Sequence, residues 1–398
     1  MSTVYSTVLL RFGEIGIKSK QTRRRMVSLL VKHIRTALKE KGVPFIKVRR
    51  EYGRIFIETD EAAEAATVAS QVFGIVSASP VVVVSSDMDT ILATGGAMAK
   101  EQFTKGSTFA VDARRVGTHN YTSQDIRAKL GERILEGLPE LNLKVNLTAP
   151  EESIYVEVRD DTAYIFTETV KGVGGMPTGS QGKAICTISG GLDSPVAAYK
   201  VMKRGCIPVF AHFDNAPYLD NSPKDVAIKQ ARKLAEYIHD YEVKMYIVPH
   251  GLDLAQVIEH APEKMLCIYC KRNMLRLARE IAIIEDADVI VTGEIIGEQA
   301  SQTSKNLRAI NTAVCDYPIL RPCAGDDKVD IEHLAAKIGT YYLAGEVSSC
   351  CTLPPKYPEV KASVKNVESI EKAFDLQVIS EQISRAEIII LKPGKRYQ

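Results

Sequence analysis

None of the first 185 residues is a cysteine, although the 398-residue chain holds eight. Thiols that sparse and that one-sided do not make a disulfide scaffold, so a reducing compartment and local thiol or metal chemistry are expected. No stretch approaches the ~20 consecutive apolar residues that a bilayer-spanning helix needs. The opening, Met1-Ser2-Thr3-Val4-Tyr5-Ser6-Thr7-Val8-Leu9-Leu10, lacks the basic n-region and long apolar h-region of a secretory signal. It reads as a first strand of a cytoplasmic protein. No internal repeat and no low-complexity tail is found. A chain this long exceeds one ordinary core, and two or three domains are expected.

The charge is unevenly spread. The net charge is +2, yet the 33 residues from Lys18 to Arg50 carry twelve Lys and Arg against one acid, Glu40. That segment is therefore +11 and the remainder −9. Such a concentration costs self-repulsion unless a polyanion binds there, although a solvated helix face would show the same composition. From Gln21 to Glu40, Met26, Leu29, Leu30, Ile34, Ala37 and Leu38 recur at helical spacing. Arg25, Lys32, Arg35 and Lys39 fall largely on another side, forming a positive stripe.

The fold class is α/β, read as four regions. Residues 1–60 follow a β-α-β-β order, a ferredoxin-like pattern. Residues 61–170 form a second α/β unit with no catalytic constellation, which suits a binding domain. Residues 171–182 hold five glycines and a proline, a linker signature. From residue 183 to 398 buried apolar strands alternate with helices, with strands near 207–213, 243–248 and 288–292. That rhythm marks a doubly wound parallel sheet.

Ser189-Gly190-Gly191-Leu192-Asp193-Ser194 lies between the strand Lys183–Ile188 and a helix from Pro195 to Arg204. Two glycines let backbone approach phosphate, and the helix N-terminus offers free N–H groups. Ser189 and Ser194 add hydroxyl donors. Asp193 would repel phosphate unless a cation bridges them, so it orients the loop or holds Mg²⁺. The loop lacks the Lys-Ser/Thr ending of a Walker A motif, which argues against γ-phosphate transfer. Ligands of such a sheet sit beyond the carboxyl ends of its strands. That rim would hold His212, Phe213 and Asp214, then Thr292, Gly293 and Glu294, then Ser301, Gln302 and Thr303. Lys271 and Arg272 open a helix and could neutralise phosphate.

The SGGxDS loop resembles that of the N-type ATP pyrophosphatases, which release pyrophosphate and transfer AMP to a substrate oxygen. Arg11-Phe12-Gly13-Glu14-Ile15-Gly16-Ile17-Lys18 resembles the RYGE-type opening of tRNA 4-thiouridine synthetases, with Phe12 in place of tyrosine. Residues 61–170 are similar to the THUMP domain of that family, a module for the acceptor end of tRNA. Gly293-Glu294, Ala300-Ser301-Gln302-Thr303 and the segment from Asp327-Lys328 to Lys337-Ile338-Gly339-Thr340 continue the resemblance. It implies ATP-dependent adenylation of O4 of uridine at position eight of tRNA, followed by displacement of AMP by sulfur. It implies Asp193 and Lys328 as catalytic residues, and Thr187, Ile188, His212, Phe213, Lys271, Gly293 and Gln302 around the nucleotide. It also implies a homodimer in which one subunit's N-terminal part grips tRNA for the other's active site. For RNA contact the candidates are Arg11, Lys18, Lys20, Arg23, Arg24, Arg25, Lys32, Arg114 and Arg115. Other adenylating chemistry, such as 2-thiolation or small-molecule amidation, and an RNA-binding protein with a degenerate nucleotide site remain as alternatives. A part in thiamine (thiazole) biosynthesis stays open.

Many bacterial members continue into a rhodanese-like domain whose cysteine carries persulfide. This sequence stops at Gln398, so a different sulfur route or a separate sulfur donor, sulfide or a persulfide carrier, is expected. Cys267-Ile268-Tyr269-Cys270 precedes Lys271 and Arg272, and Cys350-Cys351 falls where the family places its reactive cysteine. Three readings stand. Cys267, Cys270 and Cys350 or Cys351 ligate an iron–sulfur cluster, as in rhodanese-lacking archaeal members; the thiols form a persulfide and a resolving disulfide; or they are structural zinc ligands or buried hydrophobes. Cys186, Cys206 and Cys315 read as core residues, and Cys323 as a spare ligand.

Overall fold

The computed structural model describes residues 5–51, 53–347, 353 and 355–392. The chain divides into two compact units, Met1–Gly175 and Met176–Gln398.

In the first unit, strands β1 (Thr7–Phe12), β2 (Lys47–Glu51) and β3 (Arg54–Glu58) alternate with helices α1 (Lys20–Lys41) and α2 (Ala62–Ser70). Then come β4 (Ile75–Ser85), α3 (Met88–Gln102), β5 (Thr108–Val116), α4 (Ser123–Gly137), β6 (Lys144–Val145), β7 (Glu152–Arg159), β8 (Thr162–Phe166) and β9 (Val170–Lys171). They build one sheet in the order β2-β3-β1-β4-β8-β7-β5-β6, with β9 beside β4. β4 makes this continuity. Its first half pairs antiparallel with β1 and its second half, Val82–Ser85, with β8. Eleven residues give one strand enough length for both neighbours. The fold therefore does not divide at residue 60, where the sequence pattern placed a boundary. α2, expected to open the second module, packs on β1, β4 and α1.

α1 starts at Ser19, whose hydroxyl accepts the Thr22 N–H, and ends at Gly42 with φ of 73°, a left-handed residue that suits glycine. It buries Met26, Val27, Leu30, His33, Ile34, Ala37 and Leu38. Lys18, Lys20, Arg23, Arg24, Arg25 and Lys32 are all exposed.

The glycine-rich stretch at 171–182 is hydrogen-bonded along its length. Gly172, Val173 and Gly174 donate to Val76, Ser70 and Ile75, whereas Met176 and Gly179 donate to Lys203 and Gly205.

The second unit contains β10 (Lys183–Thr187), α5 (Asp193–Lys203), β11 (Ile207–Asp214), α6 (Ser222–Ala235), β12 (Val243–Pro249), α7 (Gly251–His260) and α8 (Leu266–Glu285). It continues through β13 (Val289–Val291), α9 (Ser304–Asn311), β14 (Ile319–Leu320), α10 (Lys328–Ile338), α11 (Tyr341–Ala344), α12 (Val364–Glu371), α13 (Val378–Ser384) and β15 (Glu387–Leu391). The sheet order is β14-β13-β10-β11-β12-β15, parallel except for β15 against β12. The expected doubly wound parallel sheet is therefore present. The chain winds from β10 out to β12 on one side, then crosses to β13 and β14 on the other. That reversal opens a crevice between the carboxyl ends of β10 and β13, where ligands of such sheets bind. No helix among the described residues is long and apolar enough to cross a membrane.

Candidate active site

The SGGLDS loop leaves β10 at this crevice and enters α5. Gly190 has φ of 85°, and a Cβ there would lie 2.7 Å from the Pro223 carbonyl oxygen. Gly293, after β13, approaches the loop so closely that a Cβ would sit 2.6 Å from the Ser194 Cα. Only glycine fits at either position. The loop is closed from within: the Ser189 N–H donates to Ser194 Oγ at 3.0 Å, and Gly191 N–H to Ser189 Oγ at 3.3 Å. Gln230, fully buried, donates its amide to the Gly190 and Gly191 carbonyls at 3.2 and 3.1 Å. Committing those oxygens to Gln230 removes them from the face an anion would meet.

A cavity of about 410 Å³ opens over the loop. It is bordered by Thr187, Ile188, Ser189, Asp193 and Ser194 from the β10 side, His212 and Phe213 from β11, Lys271 from α8, and Gly293 and Gln302 beyond β13. His212 is buried, with Nδ1 2.8 Å from the Ile188 carbonyl oxygen. Burial pushes its pKa below 6.5, so the ring is neutral, with Nδ1–H donated and Nε2 left as an acceptor.

Two cation systems flank the loop. Lys328, at the start of α10, places Nζ 2.6 Å from Asp193 and 2.7 Å from Glu298. Burial pushes the Asp193 carboxyl above its ordinary pKa and outweighs the pull of Lys328, while Glu298 adds to the rise. Burial lowers the Lys328 pKa, but its two carboxylate partners more than offset this and the net shift is upward. On the other side buried Glu294 receives Lys271 at 3.2 Å, Arg321 at 2.6 Å and Thr292 at 2.9 Å. Burial would raise its pKa, yet Lys271 and Arg321 hold it below the usual carboxylate range.

Arg272 departs from the sequence expectation. It is 1% exposed and does not border the cavity. Its Nε lies 2.8 Å from Glu371, its Nη1 2.7 Å from Thr312, and Arg276 joins the same carboxylate at 2.7 Å. Each helical residue turns about 100°, so a side chain next to one on the cavity face points into the core. Arg272 holds α12 onto α8.

Cys267 and Cys270, three apart on α8, both border the cavity. Cys270 Sγ lies 3.4 Å from His250 Nε2, and His250 Nδ1 is 2.8 Å from Asp253 Oδ1. Gln382 of α13 donates to that oxygen at 2.6 Å. His250, Asp253 and Gln382 are at most 1% exposed. The sequence reading passed over this buried cluster. Its local signal is a histidine ending a strand, with an acid three residues on in the first turn of the next helix. Cys350 and Cys351 lie outside the described residues. Cys186, Cys206 and Cys323 are buried; Cys315, expected in the core, is exposed. Burial pushes the Cys323 thiol up to about 12, which makes it a poor metal ligand.

In the first unit Arg11 and Arg114 border a pocket of about 200 Å³. Arg11 stacks 4.8 Å over Phe166, donates to Ser79 at 3.0 Å and pairs with buried Glu157 at 3.4 Å. Arg54 reaches the same carboxylate at 3.1 Å, and Arg159 also binds it. Arg115 turns elsewhere, to the Gly117 carbonyl oxygen at 2.7 Å and His119 at 3.2 Å.

Known proteins match nearly the whole chain. The "Thiamine biosynthesis protein (ThiI)" family model matches residues 179–376, the "ThiI ferredoxin-like domain" 7–79 and the "THUMP domain" 85–168. A probable tRNA sulfurtransferase of Methanosarcina mazei is 38% identical over 389 residues, 97% of this chain and 96% of the relative. The chain belongs to the tRNA sulfurtransferase family. A second relative of that name, from Methanobrevibacter smithii, is 39% identical over 386 residues, covering 93% of this chain and 99% of the relative. A crystal structure of a 4-thiouridine synthetase–RNA complex with bound ATP superposes with a TM-score of 0.84 at 29% identity, covering 98% of this chain and all of that one.

Proposed function

We propose that this protein is an ATP-dependent tRNA sulfurtransferase that makes 4-thiouridine at position eight of tRNA by adenylating O4 of the base and replacing AMP with sulfur. One observation carries the reading. A pyrophosphate-type loop at the crevice of a parallel sheet shares a single cavity with two thiols, one of them backed by a buried histidine. Phosphate chemistry and sulfur chemistry then occur side by side. ATP binding is supported by the ATP-bound relative, and RNA as partner by the RNA in that complex.

In this mechanism the triphosphate lies across the loop N–H groups, with Lys271 on its charge and the neutral His212 against the nucleoside. Asp193 and Glu298 would be the hard oxygen donors for Mg²⁺, which would neutralise phosphate charge. Lys328, held between them, stabilises the charge that develops as O4 of uridine bonds to the α-phosphorus and pyrophosphate leaves. A sulfur nucleophile then adds to C4, and AMP departs with the former O4.

An iron–sulfur cluster would find the Cys267 and Cys270 thiolates. Among the described residues no group of three His, Cys, Asp or Glu side chains could hold a metal ion. The described thiol pair does not complete a cluster site, and no step runs through one. The pair also suits persulfide chemistry. The terminal sulfur of one cysteine bonds to C4, the other thiol attacks the resulting disulfide to free 4-thiouridine, and a Cys267–Cys270 disulfide remains for a thiol reductant to open. The reading includes a homodimer, a cytoplasmic location, and as donor either a separate persulfide carrier or sulfide, which attacks the Cys267–Cys270 disulfide to give one persulfide and one thiol.

The test is anaerobic purification, followed by incubation with ATP, unmodified tRNA and either sulfide or a persulfide donor, with and without reconstitution by iron. The 4-thiouridine absorbance band should appear in the wild type and vanish in Cys267→Ala/Cys270→Ala. Strict dependence on iron would replace the persulfide route with a cluster. Pyrophosphate release on tRNA without any thiolated base would overturn the product.

A further inference from the structure

Beside the nucleotide cavity the second unit has a larger hollow of about 770 Å³, a size within the roughly 300–1,000 Å³ range of small-molecule sites. Gly191, Leu192, Ile268, Ala344, Val347 and Pro358 are among its walls. Ser189, Cys267, Gln299 and Ser301 border both spaces, so the hollows share one partition at the phosphate loop. The outer wall is built firmly. Glu359 donates its N–H to the Lys264 carbonyl at 2.8 Å, the two side chains pair at 3.0 Å, and Asn306 donates to the Glu359 carbonyl at 2.6 Å.

Two exposed tyrosines stand near this wall in the sequence, one of them, Tyr342, edge-on to Tyr341 with ring centroids 5.5 Å apart. Tyr342, two residues before Ala344, is 83% exposed, and Tyr357, next to Pro358, is 77% exposed. Lys356 Nζ lies 5.5 Å from the Tyr357 ring centroid. Aromatic rings left in water, one of them with a cation against it, are the equipment of a surface on which unstacked bases lie.

We propose that this hollow receives the target uridine turned out of the tRNA, and that Tyr342 and Tyr357 stack on the nucleotides flanking it. The inference rests on the sulfurtransferase reading. The reaction needs a second chamber of this kind. With the adenosine in the first cavity and pyrophosphate on the loop, O4 must reach the α-phosphorus from outside both, and the shared partition is the side left open. A base entering there brings C4 beside Cys267, which borders both hollows, whereas Cys270 borders the nucleotide cavity alone. Cys267 is thus the thiol that faces the base, and Cys270 the one behind it against His250.

The probe is a synthetic tRNA carrying one 4-thiouridine at the target position, whose thiobase crosslinks to adjacent side chains under long-wave ultraviolet light. Bound to the full-length protein, it should crosslink to the peptides containing Leu192, Cys267–Ile268 or Tyr342–Val347. Crosslinks confined to other peptides overturn the assignment. Independently, Ala344→Trp, which fills the hollow, and the pair Tyr342→Ala/Tyr357→Ala should raise KM for tRNA by about tenfold or more, the size of one missing stacking platform. ATP binding should be unchanged, which also shows that the variants fold. Wild-type kinetics in all of them would overturn it. A protein that crosslinks as expected but forms no thiouridine sinks the product assignment and spares the hollow. Normal thiolation with crosslinks elsewhere sinks only the hollow.

Discussion

The two units use positive charge in opposite ways. In the first, Lys18, Lys20, Arg23, Arg24, Arg25 and Lys32 stand exposed on and just before α1, where a polyanion's phosphates can reach them without any loss of packing. In the second, the cations at the loop are each held against carboxylates: Lys328 between Asp193 and Glu298, Lys271 and Arg321 on Glu294. An exposed cation supplies affinity that ignores sequence and falls with salt. A cation fixed to within an ångström supplies chemistry and little affinity. The same residue types therefore predict different failures in the two places.

The comparison breaks most visibly at Lys328. Lys328→Ala should lower ATP-dependent thiolation by roughly 10³–10⁵-fold, the scale on which a positioned cation acts in phosphoryl transfer. Binding of tRNA should stay at the wild-type level, because the exposed cations of α1 remain. Single-turnover thiolation and a filter-binding isotherm, taken together, check both halves.

Next in size is the contrast within α8 itself. Arg272→Ala strips the buried Glu371 of one guanidinium, and removing one partner of a buried pair costs about 3–5 kcal/mol. Arg276 still reaches Glu371 at 2.7 Å, so the lower end is expected. Lys271→Ala, which leaves Glu294 with Arg321 and Thr292, should lower the melting temperature less than Arg272→Ala and raise KM for ATP. Thermal unfolding set against ATP titration separates the neighbours. Equal effects would mean that Arg272 also meets the nucleotide.

That pair also marks how far the sequence could be read. The phosphate loop was legible because its parts are adjacent: strand, two glycines, hydroxyls and helix within a dozen residues. The parallel sheet was legible from its rhythm of buried strands. Lys271 and Arg272 looked equivalent because composition carries no helix phase, and 100° of rotation sends one to the cavity and the other to Glu371. The buried cluster behind Cys270 was out of reach for another reason. Its members come from α7, α8 and α13, so only the tertiary fold brings His250, Asp253 and Gln382 together. β4 hid the module boundary likewise, since one long strand pairs with β1 and β8 and no turn signal marks the change of partner. Cys315 looked like a core residue by type alone; its exposure depends on the turn after α9.

A smaller effect belongs to the exposed stripe. Arg23→Ala/Arg24→Ala/Arg25→Ala should weaken tRNA binding and flatten the slope of log affinity against log salt by about one unit for each phosphate no longer neutralised. ATP–pyrophosphate exchange should persist. An unchanged slope would assign the stripe to a solvated surface and move RNA recognition to the Arg11–Arg114 pocket.

The smallest effect tests His212, a titrating group in the nucleotide cavity that burial holds neutral. Burial keeps the folded-state pKa of His212 below 6.5, so on acidification the unfolded chain takes up this proton before the folded one does. The stabilisation that comes from keeping the ring neutral is therefore fully present above pH 6.5 and is lost as pH falls below it, toward the folded pKa. Thermal unfolding followed from pH 7.5 to 5.5 should show a falling melting temperature in the wild type. His212→Asn, which retains a donor for the Ile188 carbonyl and cannot ionise, should show a flatter profile over the same range. If the two profiles run parallel, the proton is taken up elsewhere and His212 does not meet the nucleoside as a neutral ring.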